Sequence, residues 1–321
     1  MEFRRLGRTG LKVSSICLGT MQFGWSADKE TSFAVMDEAI ELGCNFFDTA
    51  DVYSRWVPGN PGGVSETIIG EWLAQTSLPR HKLVLATKLR GQMGDGPNDQ
   101  GLSRQHIMQA VEDSLRRLQT DYIDLYQVHS PDAETPLDET LRAMDDLVRS
   151  GKVRYIGCSN YPAWLLMKAT WISDVQNLVR FDSMQPHYNL VHRAEFEREL
   201  QAVAREEGIG VIPYSPLAAG FLTGKYQRDG ALPQSDRAQR IQDRYMNDQG
   251  FSAVEKLAEL GQKYDATVAQ MAIGWILANP VVSSAIIGAN TVAQLRDTWG
   301  GSEVQLSAED KTALDEITAW Q

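Results

Sequence analysis

Cysteine is scarce in this chain, and the few present exclude two architectures. Only three occur in 321 residues, Cys17, Cys44 and Cys158. An odd, widely spaced set builds no disulfide framework, and without a CxxC pair there is no zinc finger or ribbon. Each stands among apolar neighbours, as a small core side chain would. Positive charge is also in short supply, since 31 Lys and Arg against 42 Asp and Glu leave a formal net charge of -11. A nucleic-acid surface needs clustered basic residues, so that class of partner is not expected. A local basic pocket for a small phosphorylated ligand is compatible with this charge. Long apolar runs are missing as well. No stretch approaches the roughly 18 apolar residues of a membrane-spanning helix, and the opening MEFRRLGRTG carries no apolar signal segment. A cytoplasmic protein is expected, with no membrane partner.

What the chain does have is alternation. Short segments rich in β-branched and aromatic residues (ICLGT, NFFDTA, LVLATK, YIDLYQVH, VRYIGCS, FDSMQ, GVIPYS and SSAIIG) read as strands. Amphipathic helical patterns separate them, at 29–42, 64–75, 103–118, 136–150, 161–171 and 193–206, as a pair across 252–278, and at 291–298. Strands in such units run parallel under a cover of helices, which explains their near-continuous apolar character. Eight units of this length predict an α/β fold, a closed (β/α)8 TIM barrel, occupying 1–321 as one domain. A doubly wound sheet would carry GxGxxG after its first strand, whereas that strand here continues as CLGTMQFG. Three segments break the rhythm. FRRLGRTGLKVS reads as an N-terminal hairpin with its turn at 8–10, placed to plug the barrel. A long polar, Gly-punctuated loop follows the seventh strand over 215–250, as a lid would. The segment 307–320 reads as a last helix, capped by Ser307 with Asp310 three residues on.

Barrel enzymes work at the C-terminal ends of their strands. Strand two ends in Asp48, with Tyr53 in its loop; strand three ends in Lys88 and strand four in His129. Strand five runs into Ser159 and Asn160, strand six ends in Gln185, strand seven in Tyr214 and Ser215, and strand eight in Gly288. Taken singly, each has a structural role to fall back on: Asp48 as a turn cap, Lys88 as an exposed charge, His129 as a satisfied histidine, Tyr53 as packing, Gln185 as a hydrogen-bonded filler. Taken together they suit one chemistry. A lysine at a barrel mouth needs an acid to offset its desolvation, and Asp48 is the natural partner. A cation beside Tyr53 lowers its pKa toward that of a usable proton donor and acceptor. His129 could donate a hydrogen bond to the same substrate oxygen. No metal is expected, because of His81, His106, His129, His187 and His192 only His129 clearly ends a strand. The set fits carbonyl reduction once a hydride donor is supplied.

The segments GCNFFDTADVYS, LVLATK, DYIDLYQVHSPD, GKVRYIGCSN, QPHYNL and YSPLAAGFLTGKY, in that order, resemble the signatures of the aldo-keto reductases, and the resemblance spans nearly the whole chain. It implies a barrel that binds an extended nicotinamide dinucleotide and reduces aldehydes or ketones, or oxidises the corresponding alcohols. By motif, Asp48, Tyr53, Lys88 and His129 match the catalytic tetrad, with Tyr53 as general acid. Asp51 then reads as a local turn or helix-capping acid. Ser159, Asn160 and Gln185 match the ligands of the nicotinamide carboxamide, and Tyr214 the ring on which the nicotinamide stacks. Ser215, Leu217, Gly220 and Lys225 match the loop over the pyrophosphate, and Gly288, Thr291 and Gln294 the adenosine end. Family habit favours NADP(H). Asn290 stands where many relatives carry Arg or Lys, and a neutral side chain cannot pair with a 2'-phosphate, so NAD(H) or dual use stays open. Trp25, Trp56, Tyr188 and Phe221 are candidates for an aromatic substrate wall, and the Pro- and Gly-rich extension SRWVPGNPGGVSE for its cover. The alternative implied by the same resemblance is a cofactor-sensing regulatory subunit of the channel beta-subunit type; the chain shows no extra inactivating segment, so a protein partner is not expected.

Overall fold

The computed structural model describes residues 2–228, 230 and 238–320. Part of the long loop expected after the seventh strand, at 229 and 231–237, therefore lies outside the described residues. Among the described residues ten strands occur in chain order: β1 (Phe3–Arg5), β2 (Lys12–Ser14), β3 (Ile16–Gly19), β4 (Phe46–Asp48), β5 (Val84–Leu89), β6 (Ile123–Val128), β7 (Val153–Ser159), β8 (Ser183–Gln185), β9 (Gly210–Val211) and β10 (Ala285–Gly288). β1 and β2 form the antiparallel hairpin; the other eight make one parallel sheet in the order β10-β3-β4-β5-β6-β7-β8-β9. Between β9 and β10 the wall is joined by a Val211–Val282 bridge and by Ser283 N–H donating to Val211 O (2.8 Å) and Ile286 N–H to Pro213 O (3.0 Å). The segment GVIPYS thus yields a much shorter ladder than its composition predicts. Pro213 has no N–H to donate, and regular pairing stops before it.

Several helices start at a side-chain cap. Asp28 accepts from Thr31 N–H ahead of Lys29–Glu41, and Ser103 from His106 N–H ahead of Arg104–Leu118. Thr267 and Gln270 form a reciprocal capping box on Val268–Leu277. Ser307 caps Ala308–Ile317 through Asp310 N–H, as expected. The helix expected at 161–171 starts after Pro162 and runs on to Gln176, where Asn177 ends it in a left-handed turn. The pattern at 193–206 divides into Ala194–Glu197 and Leu200–Glu207.

Strand alternation sorts side chains into two layers. Cys17, Phe46, Val84, Ala86, Leu125, Ile212 and Ile286 fill the lumen, and Leu6 and Val13 of the hairpin join them from below. The intervening residues, such as Phe47, Leu85, Tyr126 and Val128, face the helices. Gly7 lets the hairpin seat: its φ is +56°, and a Cβ there would lie 2.4 Å from the backbone of Gly208 and Gly210. The same alternation carries Asp48, Lys88 and Gln127 to the upper lumen, two residues beyond Phe46, Ala86 and Leu125 on their strands. Parallel pairing sets Lys88 opposite Gln127 and Ser159 opposite Gln185, with Asp48 one step lower, opposite Ala86, so that Lys88 reaches down to it.

Candidate active site

Lys88 is fully buried, and its ammonium spends its three donors within the site. They go to Asp48 Oδ2 (2.5 Å), Thr49 O (2.8 Å) and Tyr53 Oη (2.9 Å). The other Asp48 oxygen accepts from Gln127 Nε2 (2.9 Å) and Gln185 Nε2 (3.0 Å), and Gln185 Nε2 also reaches Gln127 Oε1 (3.2 Å). Burial works against the charge on Lys88, but Asp48 and the Tyr53 oxygen outweigh it and hold the ammonium above the ordinary lysine range. Tyr53 departs from the sequence expectation. Burial raises its pKa, the opposing pull of Lys88 is partly cancelled by Asp48, and the net direction is upward. The hydroxyl is therefore held in its protonated form, as a proton donor requires.

His129 follows β6, and its ring lies edge-on to Tyr53 at 5.9 Å between centroids. Burial, with Lys88 and Arg90 nearby, lowers its pKa to about 3, so the imidazole is neutral and has one N–H to offer. Asn160 ties this edge to the next strands. Its side-chain amide donates to His129 O (3.0 Å) and Ser159 Oγ (3.0 Å), and its oxygen accepts from Tyr214 Oη (3.0 Å). Ser159 Oγ in turn donates to Gln185 O (2.9 Å).

Tyr214 is backed on one face by His187, at 5.1 Å and 11° between planes, and His187 stacks in turn on His192 at 4.0 Å. Arg244 Nη2 donates to His187 Nδ1 (3.0 Å), and Tyr245 Oη lies 3.0 Å from Nε2. A guanidinium only donates, so Nδ1 is an acceptor. Burial first, then His192 and Arg244, keep His187 neutral with a pKa of about 3. Beyond Tyr214 the backbone turns left-handed at Ser215, Ala218, Ala219 and Gly220, and Lys225 Nζ would sit 3.4 Å from a Cβ on Gly220. Of the non-glycine residues with positive φ, Ser54, Arg90, Asn160, Ser215, Ala218 and Ala219 all lie in loops leaving the upper ends of barrel strands. Such conformations cost energy and persist where the surroundings enforce them.

At the far end, Thr291 caps the helix Val292–Trp299, and Gln294 Oε1 accepts the N–H of Asn290 (2.9 Å). Asn290 Oδ1 accepts from Ser26 Oγ (2.8 Å). Arg296 is turned away, in a two-pronged pair with Glu38 at 2.7 and 2.8 Å. A Cβ on Gly288 would meet Gln22 Nε2 at 2.1 Å.

The aromatic residues expected to form a wall divide into two groups. Trp25 and Trp56 meet edge-on at 5.6 Å, and Trp56 reaches Tyr53 at 6.3 Å. Tyr188 and Phe221 are core residues instead. Tyr188 packs on Phe196 and Trp275 and donates to Glu197 (2.8 Å), while Phe221 is surrounded by Tyr226, Tyr245 and Phe251. Asp51 does not cap a helix through its side chain: that helix, Val64–Leu73, starts after Gly63. Its backbone makes the link, donating to Lys88 O (3.0 Å) and accepting from Gly63 N–H (2.6 Å). Gln127 and the His187–His192–Arg244 stack were missed. Period-two counting from His129 puts Gln127 in line with Lys88, but the stack joins distant segments and leaves no local signal.

Comparison with known proteins agrees with this geometry. Residues 15–319 match the aldo/keto reductase family. An uncharacterized oxidoreductase, YrpG, of Bacillus subtilis is 45% identical over 99% of this chain and 96% of the relative. A probable voltage-gated potassium channel subunit beta of Arabidopsis thaliana is 36% identical over 95% of this chain and 92% of its own length. The versiconal hemiacetal acetate reductase of Aspergillus parasiticus is 35% identical over 98% and 96%. With a parallel barrel, a buried Asp–Lys–Tyr cluster at its mouth and a match from one end to the other, the chain belongs to the aldo/keto reductase family of NAD(P)(H)-dependent oxidoreductases.

Proposed function

We propose that the whole chain works as a single barrel domain that reduces an aldehyde or ketone, or oxidises the matching alcohol, at Tyr53 Oη. The observation that carries this reading is the fully buried Lys88 ammonium, whose contacts join Asp48, Thr49 and Tyr53. Tyr53 gives its proton to the substrate oxygen, and burial keeps that proton in place until it is needed. Lys88 stabilises the phenolate left behind, and Asp48, fixed by Gln127 and Gln185, holds Lys88 in position. His129, neutral beside Tyr53, donates to the same substrate oxygen and orients it.

The residues present fit a nicotinamide dinucleotide. Tyr214 offers a ring that is backed on one face and pinned at its edge by Asn160. Ser159, Asn160 and Gln185 lie beside it as carboxamide ligands. The turn from Ser215 through Leu217 to Gly220, left-handed at Ser215 and Gly220 and with Lys225 beside it, is suited to a pyrophosphate. Gly288, Thr291 and Gln294 line the adenosine end. When bound, the reduced nicotinamide supplies the hydride. Asn290 and Gln294 are neutral and Arg296 is committed to Glu38, so a 2'-phosphate gains little there. Both NADPH and NADH are used, with dissociation constants within about tenfold of each other.

The test is a fluorescence titration with each cofactor, followed by turnover on a panel of carbonyls by wild type and Tyr53→Phe. The variant binds cofactor as wild type does and loses about 10²- to 10⁴-fold in kcat. Full turnover by the variant removes Tyr53 from the role. The name of the Arabidopsis relative favours a second reading, a cofactor-sensing channel subunit. Negligible wild-type turnover across the panel, with tight cofactor binding, would favour that reading over the first.

A further inference from the structure

The long loop after β9 leads into a short helix, Ala238–Tyr245, and that helix reaches the back of Tyr214. Ile241, Arg244 and Tyr245 share one face of it, three and four residues apart. Ile241 and Tyr245 are buried, while Arg244 is an exposed residue whose Nη2 turns in toward two histidines. Two local features bring those histidines together. His187 and Tyr214 form a parallel bridge where β8 and β9 run out, so their side chains lie side by side. Asn189 and His192 close a tight turn, with His192 N–H donating to Asn189 O (3.0 Å), and the turn folds the His192 ring back onto His187. The result is a column of three rings with His187 in the middle. Stacking alone leaves a middle ring free to turn, and the helix removes that freedom. Arg244 Nη2 donates to His187 Nδ1 (3.0 Å), which leaves the proton of the neutral ring on Nε2, and Nε2 donates to Tyr245 Oη (3.0 Å). Both nitrogens of His187 are thus held from one helix. Arg244 Nη2 also lies 3.4 Å from His192 Nε2, whose other neighbour is the Glu195 carboxylate (3.1 Å).

We propose that Arg244 and Tyr245 are positioning residues for the nicotinamide: acting through His187, they fix the plane of Tyr214, on which the ring of the cofactor lies. The inference rests on the reading of Tyr214 as that platform and extends it to the far end of the long loop. The hydroxyl of Tyr214 is held by Asn160 (3.0 Å). That bond fixes the outer end of the ring but not its tilt. A flat ring behind it, locked at both nitrogens and within 11° of its plane, sets the tilt. A platform ordered in advance lowers the cost of ordering the cofactor on binding. It also guards the reacting distance, where a shift of about 1 Å costs about 10²-fold in rate.

Fluorescence titration of the full chain with NADH, beside calorimetry with ADP-ribose, which lacks the nicotinamide, tests the proposal. Arg244→Met, a change at an exposed residue, weakens NADH about tenfold, the worth of one charge-assisted hydrogen bond, and leaves ADP-ribose binding unchanged. Tyr245→Phe acts in the same direction and more weakly. His187→Phe keeps the stacked ring and removes both nitrogens. In that background Arg244→Met has no further effect, because residues that act through a shared partner do not add. In turnover, Arg244→Met lowers kcat and leaves the KM for the carbonyl in place. Unchanged NADH binding by Arg244→Met overturns the proposal. So does an equal weakening of NADH and ADP-ribose, which would mean that the helix only supports the fold of the site, or a loss on NADH that persists undiminished in His187→Phe. Tyr214→Ala tells the two readings apart. If it binds NADH as wild type does, Tyr214 is no platform and both fall. If it weakens NADH where Arg244→Met does not, the role of Arg244 alone falls.

Discussion

Asp48 and Asp51 are three residues apart at the end of one strand, both buried, and they meet opposite fates. Asp48 points into the lumen, where its oxygens receive Lys88, Gln127 and Gln185. Asp51 lies outside the wall, near the pair formed by Glu66 and Arg117 (2.7 Å), and among the described residues no side-chain or backbone group is within hydrogen-bonding geometry of its carboxyl oxygens. Burial, reinforced by Glu66, pushes its pKa well above the usual carboxylate range; Arg117, the Val52 N–H and Lys88 offset this only in part. Depth does not decide whether a buried acid carries charge. The donors aimed at it do, and the lumen collects donors because several strands end there together.

The comparison breaks most visibly at Lys88. Lys88→Met strands Asp48 as a buried, unpaired acid and removes the cation that pulls Tyr53 downward. The expected losses are about 3–5 kcal/mol of stability in urea unfolding and about 10²- to 10⁴-fold in turnover. Alcohol oxidation, which needs the base form of Tyr53, shifts to higher pH in the variant; an unshifted oxidation profile would show that Lys88 does not tune Tyr53.

A smaller effect is the wild-type pH dependence. Tyr53 must be protonated for reduction, and its pKa lies above the ordinary value. His129 titrates near 3 and stays neutral. Reduction is therefore flat from about pH 5 to about pH 9 and falls only beyond, as Tyr53 loses its proton, whereas oxidation rises with pH. An acid limb near 6.5 would mean that His129 gains a proton in the working range.

Asp51→Asn is the smallest change. The side chain it replaces is already a neutral acid of the same shape, and the useful contacts of Asp51 are through its backbone. Turnover is expected within about twofold of wild type and stability within about 1 kcal/mol. A tenfold loss in kcat would show that Asp51 carries charge and acts on Lys88.

Much of this was legible along the chain. The alternation of strands and helices, the hairpin and the polar strand ends all follow from local periodicity and turn chemistry, and each survives in the fold. The errors share a cause. Tyr188 and Phe221 follow polar strand ends just as Trp25 and Trp56 do, and only packing shows that the first two turn into the core. Over GVIPYS, β propensity sees Val and Ile and predicts a longer strand, while the missing donor of Pro213 matters only once a partner strand is present. One neighbouring cation predicts a lowered pKa for Tyr53, but burial, a property of the whole mouth, raises it.

Sequence alone determined the period of each element, its caps, and which residue types stand at the strand ends, because these depend on contacts within a few residues. The tertiary structure decided which of two acids three residues apart receives Lys88, that Gln127 and Gln185 brace it, and that His187 backs Tyr214. Those outcomes depend on distance and desolvation between segments far apart in the chain, which no local pattern records.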